Sequence, residues 1–423
     1  NRQKIKEKKL IVKTLKELAE KYTDEPDIVL VYAKSLINLA FKQEKEEVKQ
    51  IINVLKQLAE EYPDEADIVL MYTHGLANLI CTEQEIDKRK EIVKLFKPYL
   101  EKFPKHLGIA NMYARSLVNL GFSQKGKPGE KQTLQYLKEL AEKFSEYPEI
   151  VEMYAQGLVN ISCNQTEQER KQTVNILKQL AQKYSEELEI VLHYTGGLVN
   201  LSHEQQKEEA AETVNLLYKF VEKYPKDMRF LLSYANGLVN LSWHQNKEEE
   251  VTKTVSILKQ LFEKYLYSSQ FALAYARGLS NLTVVQNKVE KLQQTVYSLK
   301  QLVKQYPDEQ NIMLMYTKGL ANLSLEQQEI EEVQQTVSFL KELAEKYTDE
   351  PDIMLNYAKG LVHLTVVLNE NEVEEIQQTV YLLKELAEKY TDNPNITLEY
   401  AQGLMNLSVV QQEVEEIQQT VYL

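Results

Sequence analysis

Nine asparagines recur at one place in the chain: Asn38, Asn78, Asn119, Asn160, Asn200, Asn240, Asn281, Asn322 and Asn406, with His363 in the one exceptional copy. Each carboxamide offers two donor hydrogens and an acceptor oxygen, a set that matches the N–H and C=O of an extended backbone. Four residues ahead of each lies a second column: Lys34, His74, Arg115, Gln156, Gly196, Asn236, Arg277, Lys318, Lys359 and Gln402. It contains no acid, and its ammonium and guanidinium groups could grip a carboxylate. An amide inside an apolar, helix-like run such as "GLVNLS" is costly unless something uses it. Three uses stay open: contact with an extended peptide, a ladder of bonds between successive copies, and simple copying of a neutral residue.

Other residues with chemical potential are weaker. His203 and His244 lie 41 residues apart with Trp243 beside the second, but a metal site needs more ligands at closer spacing. Cys81 and Cys163 share a largely apolar column with Phe41, Phe122 and Trp243, which predicts core packing. Two cysteines make no disulfide framework and suit a reducing, cytoplasmic compartment. Asn160, Asn200, Asn240, Asn281, Asn322 and Asn406 sit in the Asn-x-Ser/Thr form of a glycosylation acceptor, as do Asn164 and Asn395. Most of them fall mid-helix, so coincidence is expected. No nucleophile–base pair departs from the repeat and no GxxxxGK[ST] loop occurs. The expectation is a chain without catalytic residues, metal or cofactor.

What must position the asparagines is a repeating element. The tyrosine opening each "YAxGLxNLS" is Tyr32, Tyr72, Tyr113, Tyr154, Tyr194, Tyr234, Tyr275, Tyr316, Tyr357 or Tyr400, at steps of 40 or 41 residues and 43 at the last. A second aromatic stands ten residues before each one, from Tyr22 to Tyr390, with Phe103 and Phe144 among them. A fixed period in this range is the signature of a solenoid whose units bury their apolar faces against neighbours. Each unit reads as two helices. In "EIVLHYTGGLVNLSHEQ" the apolar positions Ile190, Tyr194, Leu198 and Leu201 recur at helical spacing, and "AETVNLLYKFVEKYP" repeats the pattern. Asp24, Asp64, Asp308 and Asp349 are expected to cap the helices that follow them. The recurrent glycine (Gly75, Gly157, Gly197, Gly237, Gly278, Gly319, Gly360, Gly403) predicts close helix–helix contact, and "KGKPGEKQ" at 125–132 is the most loop-like stretch.

The stretch "LKQLAEEYPDEADIVLMYTHGL" (55–76) resembles tetratricopeptide repeats, with Val69, Tyr72, Thr73 and Leu76 at the large and small positions of the second helix and Ala33, Ala114 and Ala155 supplying the small residue elsewhere. Those units run 34 residues and carry a Trp that is missing here. Ile68, Tyr72, Gly75, Leu76, Asn78 and Leu79 also resemble the inner helix of armadillo repeats, whose third short helix is not evident. The tetratricopeptide likeness, with lengthened helices, is preferred. The reading is an all-α, right-handed superhelical α-solenoid of ten two-helix repeats, the last truncated. Residues 1–23 would be the second helix of a preceding repeat. Repeats follow at 24–63, 64–104, 105–145, 146–185, 186–225, 226–266, 267–307, 308–348 and 349–391, with a partial one at 392–423. "EVEEIQQTVYL" closes the sequence in mid-motif, so a slice of a longer array is expected.

On a helical wheel of ~100° per residue, Asn200 leaves the Tyr194–Leu198–Leu201 stripe and joins Glu189, His193 and Gly196. Both resemblances place that stripe on the concave surface, where they imply that Asn holds peptide backbone. The expected site is therefore the Asn column with Lys34, Arg115, Arg277, Lys318 and Lys359, and the expected partner a protein or extended peptide in the concave groove. A formal charge of -13 and the lack of an apolar run near 18 residues disfavour nucleic acid and membrane. Rival readings are a sensor or regulatory array joined to an effector domain elsewhere, a single-stranded RNA binder, and a spacer.

Overall fold

The computed structural model describes residues 2–40, 45–368 and 372–411 of the 423. Among them are 21 α-helices and no strand. The chain divides into two compact units, 1–204 and 205–423, and the division falls between the two helices expected for the fifth repeat.

In the first unit, the helices that carry the YAxGLxNLS motif are α2 (Pro26–Ala40), α4 (Ala66–Thr82), α7 (Leu107–Ser123), α9 (Pro148–Ser162) and α11 (Leu188–Ser202). Their companions are α1 (Arg2–Lys21), α3 (Lys45–Glu61), α5 (Ile86–Lys94), α6 (Lys97–Lys102), α8 (Glu130–Lys143) and α10 (Glu167–Lys183). In the second unit, α13 (Met228–His244), α15 (Ser269–Val285), α17 (Gln310–Glu326), α19 (Pro351–Val367) and α21 (Pro394–Val410) carry the motif. They alternate with α12 (Lys207–Lys223), α14 (Glu248–Lys264), α16 (Val289–Gln305), α18 (Ile330–Lys346) and α20 (Val373–Lys389). Each unit is thus a row of motif helices in contact with one another, and companions bridge consecutive members of that row. This is an all-α helical-repeat solenoid.

The two helix types form for different reasons. Companions are built from strong helix formers, and only one stripe is buried: Val251, Thr254, Val255, Leu258 and Phe262 in α14. Motif helices are squeezed between neighbours, so α15 buries ten residues around most of its girth, from Phe271 to Thr283. The glycine column is where the two types approach most closely. A Cβ at Gly197 would stand 2.6 Å from Leu177 Cδ1, and one at Gly237 or Gly278 would meet Leu217 or Leu258 at the same distance. Overpacking of this kind typically costs about 1–3 kcal/mol.

Two sequence expectations need correcting. The second helix of the repeat at 64–104 is broken into α5 and α6, because Pro98 at the start of α6 cannot donate to the preceding turn. Asp64, Asp308 and Asp349 do not cap: α4, α17 and α19 begin one residue later than supposed, and the caps are Glu65, Glu309 and Glu350 without a side-chain bond. Asp24 likewise stands two residues ahead of Pro26, where α2 begins. Side-chain caps are made elsewhere, by Thr166 in a full capping box with Glu169, and by Asp227 and Asn393. The stretch 125–129 is a loop, and Gly126 and Gly129 hold it at φ 68° and 102°, a region that other residues enter at a cost. The closing copy of "EVEEIQQTVYL" lies outside the described residues.

Candidate functional site

The asparagine column is half-buried in every described repeat except the first, where Asn38 is exposed, and the amides of Asn119, Asn200, Asn281, Asn322 and Asn406 turn toward the preceding repeat. Asn200 Nδ2 donates to Ser162 Oγ at 2.7 Å and to Val159 O at 3.2 Å. Asn281 does the same to Ser242 Oγ (2.8 Å) and Val239 O (3.2 Å). Asn322 donates to Thr283 Oγ1 at 2.8 Å, and Asn406 to Thr365 Oγ1 at 2.9 Å. His363, the exception in the column, reaches Gln327 O at 3.1 Å instead.

A rule follows from these pairs. The acceptor hydroxyl is the Ser or Thr two places after the previous repeat's member of the column, an Asn before Ser162, Ser242 and Thr283 and His363 before Thr365, so Asn-x-Ser/Thr is one repeating joint split across two repeats. The hydroxyl in turn donates to its own helix, as Ser162 does to Val159 O and Ser242 to Val239 O at 2.7 Å. In the early repeats that position is occupied by Ala40, Ile80 and Gly121. There Asn119 reaches only Cys81 Sγ, at 3.4 Å, and Asn160 faces a glycine. The resemblance to glycosylation acceptors follows from the same joint: Asn200, Asn281, Asn322 and Asn406 sit in helices and are engaged.

The basic column behaves differently. Lys34, Arg115, Arg277, Lys318 and Lys359 are all exposed on the solvent side of the motif helices. Their neighbours feel them: burial lowers the pKa of His74 and Arg115 adds to that, while Lys359 partly offsets the upward push of burial on Glu399. In the first unit the same face carries acids. Glu152 is pushed up by burial and by Glu189, and its Oε1 stands 4.0 Å from His193 Nε2, a buried nitrogen without a hydrogen-bond partner among the described residues.

The column shared by Cys81, Phe122, Cys163 and Trp243 is not core. Both cysteines are free and exposed, and Phe122 and Trp243 are 67% and 63% exposed. Nine residues past the buried tyrosine is ~900° of rotation, which is the opposite side of the helix, so apolar composition misled. Phe41 lies outside the described residues. His203 pairs with Glu204 Oε1 at 3.0 Å.

Three polar systems escaped the sequence reading. Tyrosines ending the companion helices donate to the preceding repeat's turn: Tyr62 to Thr23 O (2.8 Å), Tyr184 to Ser145 O (2.6 Å), Tyr390 to Thr348 O (2.7 Å), and Tyr306 to Leu266 O. This second rail of bonds accounts for part of the excess of tyrosine over phenylalanine. Within repeats, a glutamine just past the motif helix accepts from a companion-helix threonine: Gln124 from Thr133, Gln205 from Thr213, Gln286 from Thr295 and Gln327 from Thr336, at 2.7–2.9 Å. Arg170, 3% exposed, donates to Ser162 O, Asn200 O, Gln165 O and Cys163 O at 2.7–3.4 Å. The signal for it was available: Arg89, Glu130 and Arg170 are charged at a column that is Val251, Leu292, Val333 and Ile376 later in the chain.

No family model and no curated protein matches the chain. Among solved structures, it is similar to a chain from work on a phosphorylation switch controlling the interaction between cadherin and β-catenin, at 12% identity, covering 94% of this chain and 84% of that one, with a TM-score of 0.38. It is also similar to UNC-45 from Drosophila melanogaster, at 16% identity, 97% and 58% coverage and a TM-score of 0.36. An engineered protein matches at 15% identity, 66% and 97% coverage and a TM-score of 0.32. No helix among the described residues is long and apolar enough to cross a membrane.

Proposed function

We propose that the chain is a non-catalytic protein- or peptide-binding array whose contact surface is the solvent face of the motif helices, with acidic segments as its partners. The supporting observation is the exposed basic column, Lys34, Arg115, Arg277, Lys318 and Lys359, kept free of acids on a chain of net charge -13. An acidic protein repels acidic partners at long range, so a repeated cation on one face is a local reversal with a use. The Asn ladder contributes to that surface through its amide oxygens, since its Nδ2 groups serve the joints between repeats. Protein partners in a reducing, cytoplasmic compartment fit two exposed free thiols.

The test is selection from a random peptide display library, followed by binding to the parent and to Arg277→Glu/Lys318→Glu/Lys359→Glu. The expected result is enrichment of acidic peptides whose binding weakens with salt and is lost in the triple reversal while circular dichroism is unchanged. Enrichment of peptides without acids, or binding indifferent to the reversal, overturns the reading.

A further inference from the structure

Building on that reading, we infer that the second unit takes an amphipathic α-helix with acidic side chains along one flank. The observation is a second column on the same face. Trp243, Val284, Leu325, Val366 and Val409 occur once per repeat and are 50–78% exposed. A contiguous exposed apolar patch with a polar border marks an interaction surface. In the first unit the same column reads Phe41, Cys81, Phe122, Cys163 and His203, so a stripe of aromatic and aliphatic side chains uninterrupted by a thiol or an imidazole belongs to the second unit alone.

The basic column stands seven residues earlier on each helix: Arg277 before Val284, Lys318 before Leu325, Lys359 before Val366. Seven residues are nearly two turns, so the two columns share a face and are separated by ~10.5 Å along each helix axis. The surface is therefore two parallel stripes, one apolar and one cationic, running across the row of motif helices.

The spacing selects the occupant. Packed helices lie ~8–10 Å apart, so anchors on the partner must recur at about that interval. An α-helix brings a side chain back to the same face every seven residues, at ~10.5 Å. An extended strand advances ~10 Å in three residues but then presents the opposite face. Width agrees too: a helix with its side chains is ~10–12 Å across, so one seated on the apolar stripe sets its flank against Arg277, Lys318 and Lys359. Charge complementarity makes that flank acidic. The four steps between the five stripe residues correspond to roughly 21–28 residues of partner at up to seven per step.

Trp243 is the only tryptophan of the chain and belongs to the stripe, so its emission reports occupancy. The probe is a synthetic 21-residue helix, ~30 Å long, with Leu at every seventh position and Glu on one flank. It is compared with a Lys-flank version and with an equally acidic peptide interrupted by prolines. The expected result is a saturable blue shift of Trp243 with the Glu helix only. Leu325→Glu, and separately Lys318→Glu/Lys359→Glu, should weaken it by about tenfold or more, with helicity retained by circular dichroism.

If the proline-interrupted acidic peptide binds as well as the helix and is released by the lysine reversals, the basic-column function stands and the helical partner is wrong. If neither acidic peptide binds, both fail. A shift with phosphatidylserine vesicles but not with the Glu helix overturns the inference in favour of a lipid surface. Self-association in sedimentation that Leu325→Glu abolishes overturns it in favour of a second copy.

Discussion

Gly121→Ser should stabilise the first unit, and the amount can be worked from the joint it completes. Asn160 is the amide whose preceding repeat offers Gly121 where the later repeats offer Ser or Thr, and the two residues line a cavity of ≈ 10 Å³. A Cβ at Gly121 would meet Thr133 Cγ2 at 3.6 Å, an ordinary contact. The new hydroxyl would have two ready partners, donating to the carbonyl of Val118 and accepting from Asn160 Nδ2, as Ser162 does with Val159 O and Asn200. One hydrogen bond contributes about 1 kcal/mol net, and replacing glycine inside a helix about 0.5 kcal/mol, so roughly 1.5 kcal/mol is expected. Repeat arrays do not unfold in one step, so the readout is hydrogen exchange of α9 amides, supported by urea unfolding. The decisive comparison is a double-mutant cycle with Asn160→Ala. With the amide gone, the gain should shrink to the glycine contribution alone. A gain that is unchanged by Asn160→Ala, or a loss of stability, refutes the joint.

Four further outcomes follow from the same structure. Ser242→Ala should cost about 1 kcal/mol by removing the Asn281 acceptor, less in an Asn281→Ala background; equal cost in both backgrounds would deny the pairing. Tyr184→Phe should lose a similar amount in urea, whereas changes at Phe144, already without a hydroxyl, have no such bond to lose. Arg170→Ala should be the most damaging single change in its unit, about 3–5 kcal/mol, because four carbonyls lose a buried donor; a loss under 1 kcal/mol would show that water replaces it. At alkaline pH, burial first holds the Tyr72, Tyr113 and Tyr357 phenols up to about 12 against 10.0 ordinarily. Folding favours their neutral form, so that stability is intact below pH 10 and is lost as pH climbs from about 10 through about 12. Tyrosinate absorbance for these residues should therefore rise together with loss of helicity; ionisation near pH 10 in a folded chain would contradict it.

The architecture was legible because it is written many times. A tyrosine every 40 or 41 residues, followed by Gly-Leu-x-Asn-Leu, fixes helix type, helix pairing and the close approach at glycine. Single-copy features were less legible. Pro98 breaks one helix of the series, and an Asp before each turn looked like a cap although the helices begin one residue later. The cysteine–phenylalanine–tryptophan column was misread because hydropathy was weighed without angle. At ~100° per residue, position nine past the tyrosine faces away from the core whatever occupies it.

The asparagine column shows why repetition alone does not separate binding from structure. A residue held in nearly every repeat can be held by a ligand that runs along the array or by the neighbour that every repeat must meet. The two predict different co-variation within the chain. A ligand-held amide should be indifferent to the residue two places after the previous Asn. A joint should engage a hydroxyl where that residue is Ser or Thr, and this is the pattern seen: Ser162, Ser242, Thr283 and Thr365 receive an amide, while beside Ile80 the Asn119 amide reaches a thiol at 3.4 Å instead and Gly121 offers no side chain. Rigid joints also serve recognition indirectly. Columns spaced by fixed joints present Arg277, Lys318 and Lys359, and the apolar side chains beside them, at an even interval, and a partner with a matching period then orders fewer groups on binding.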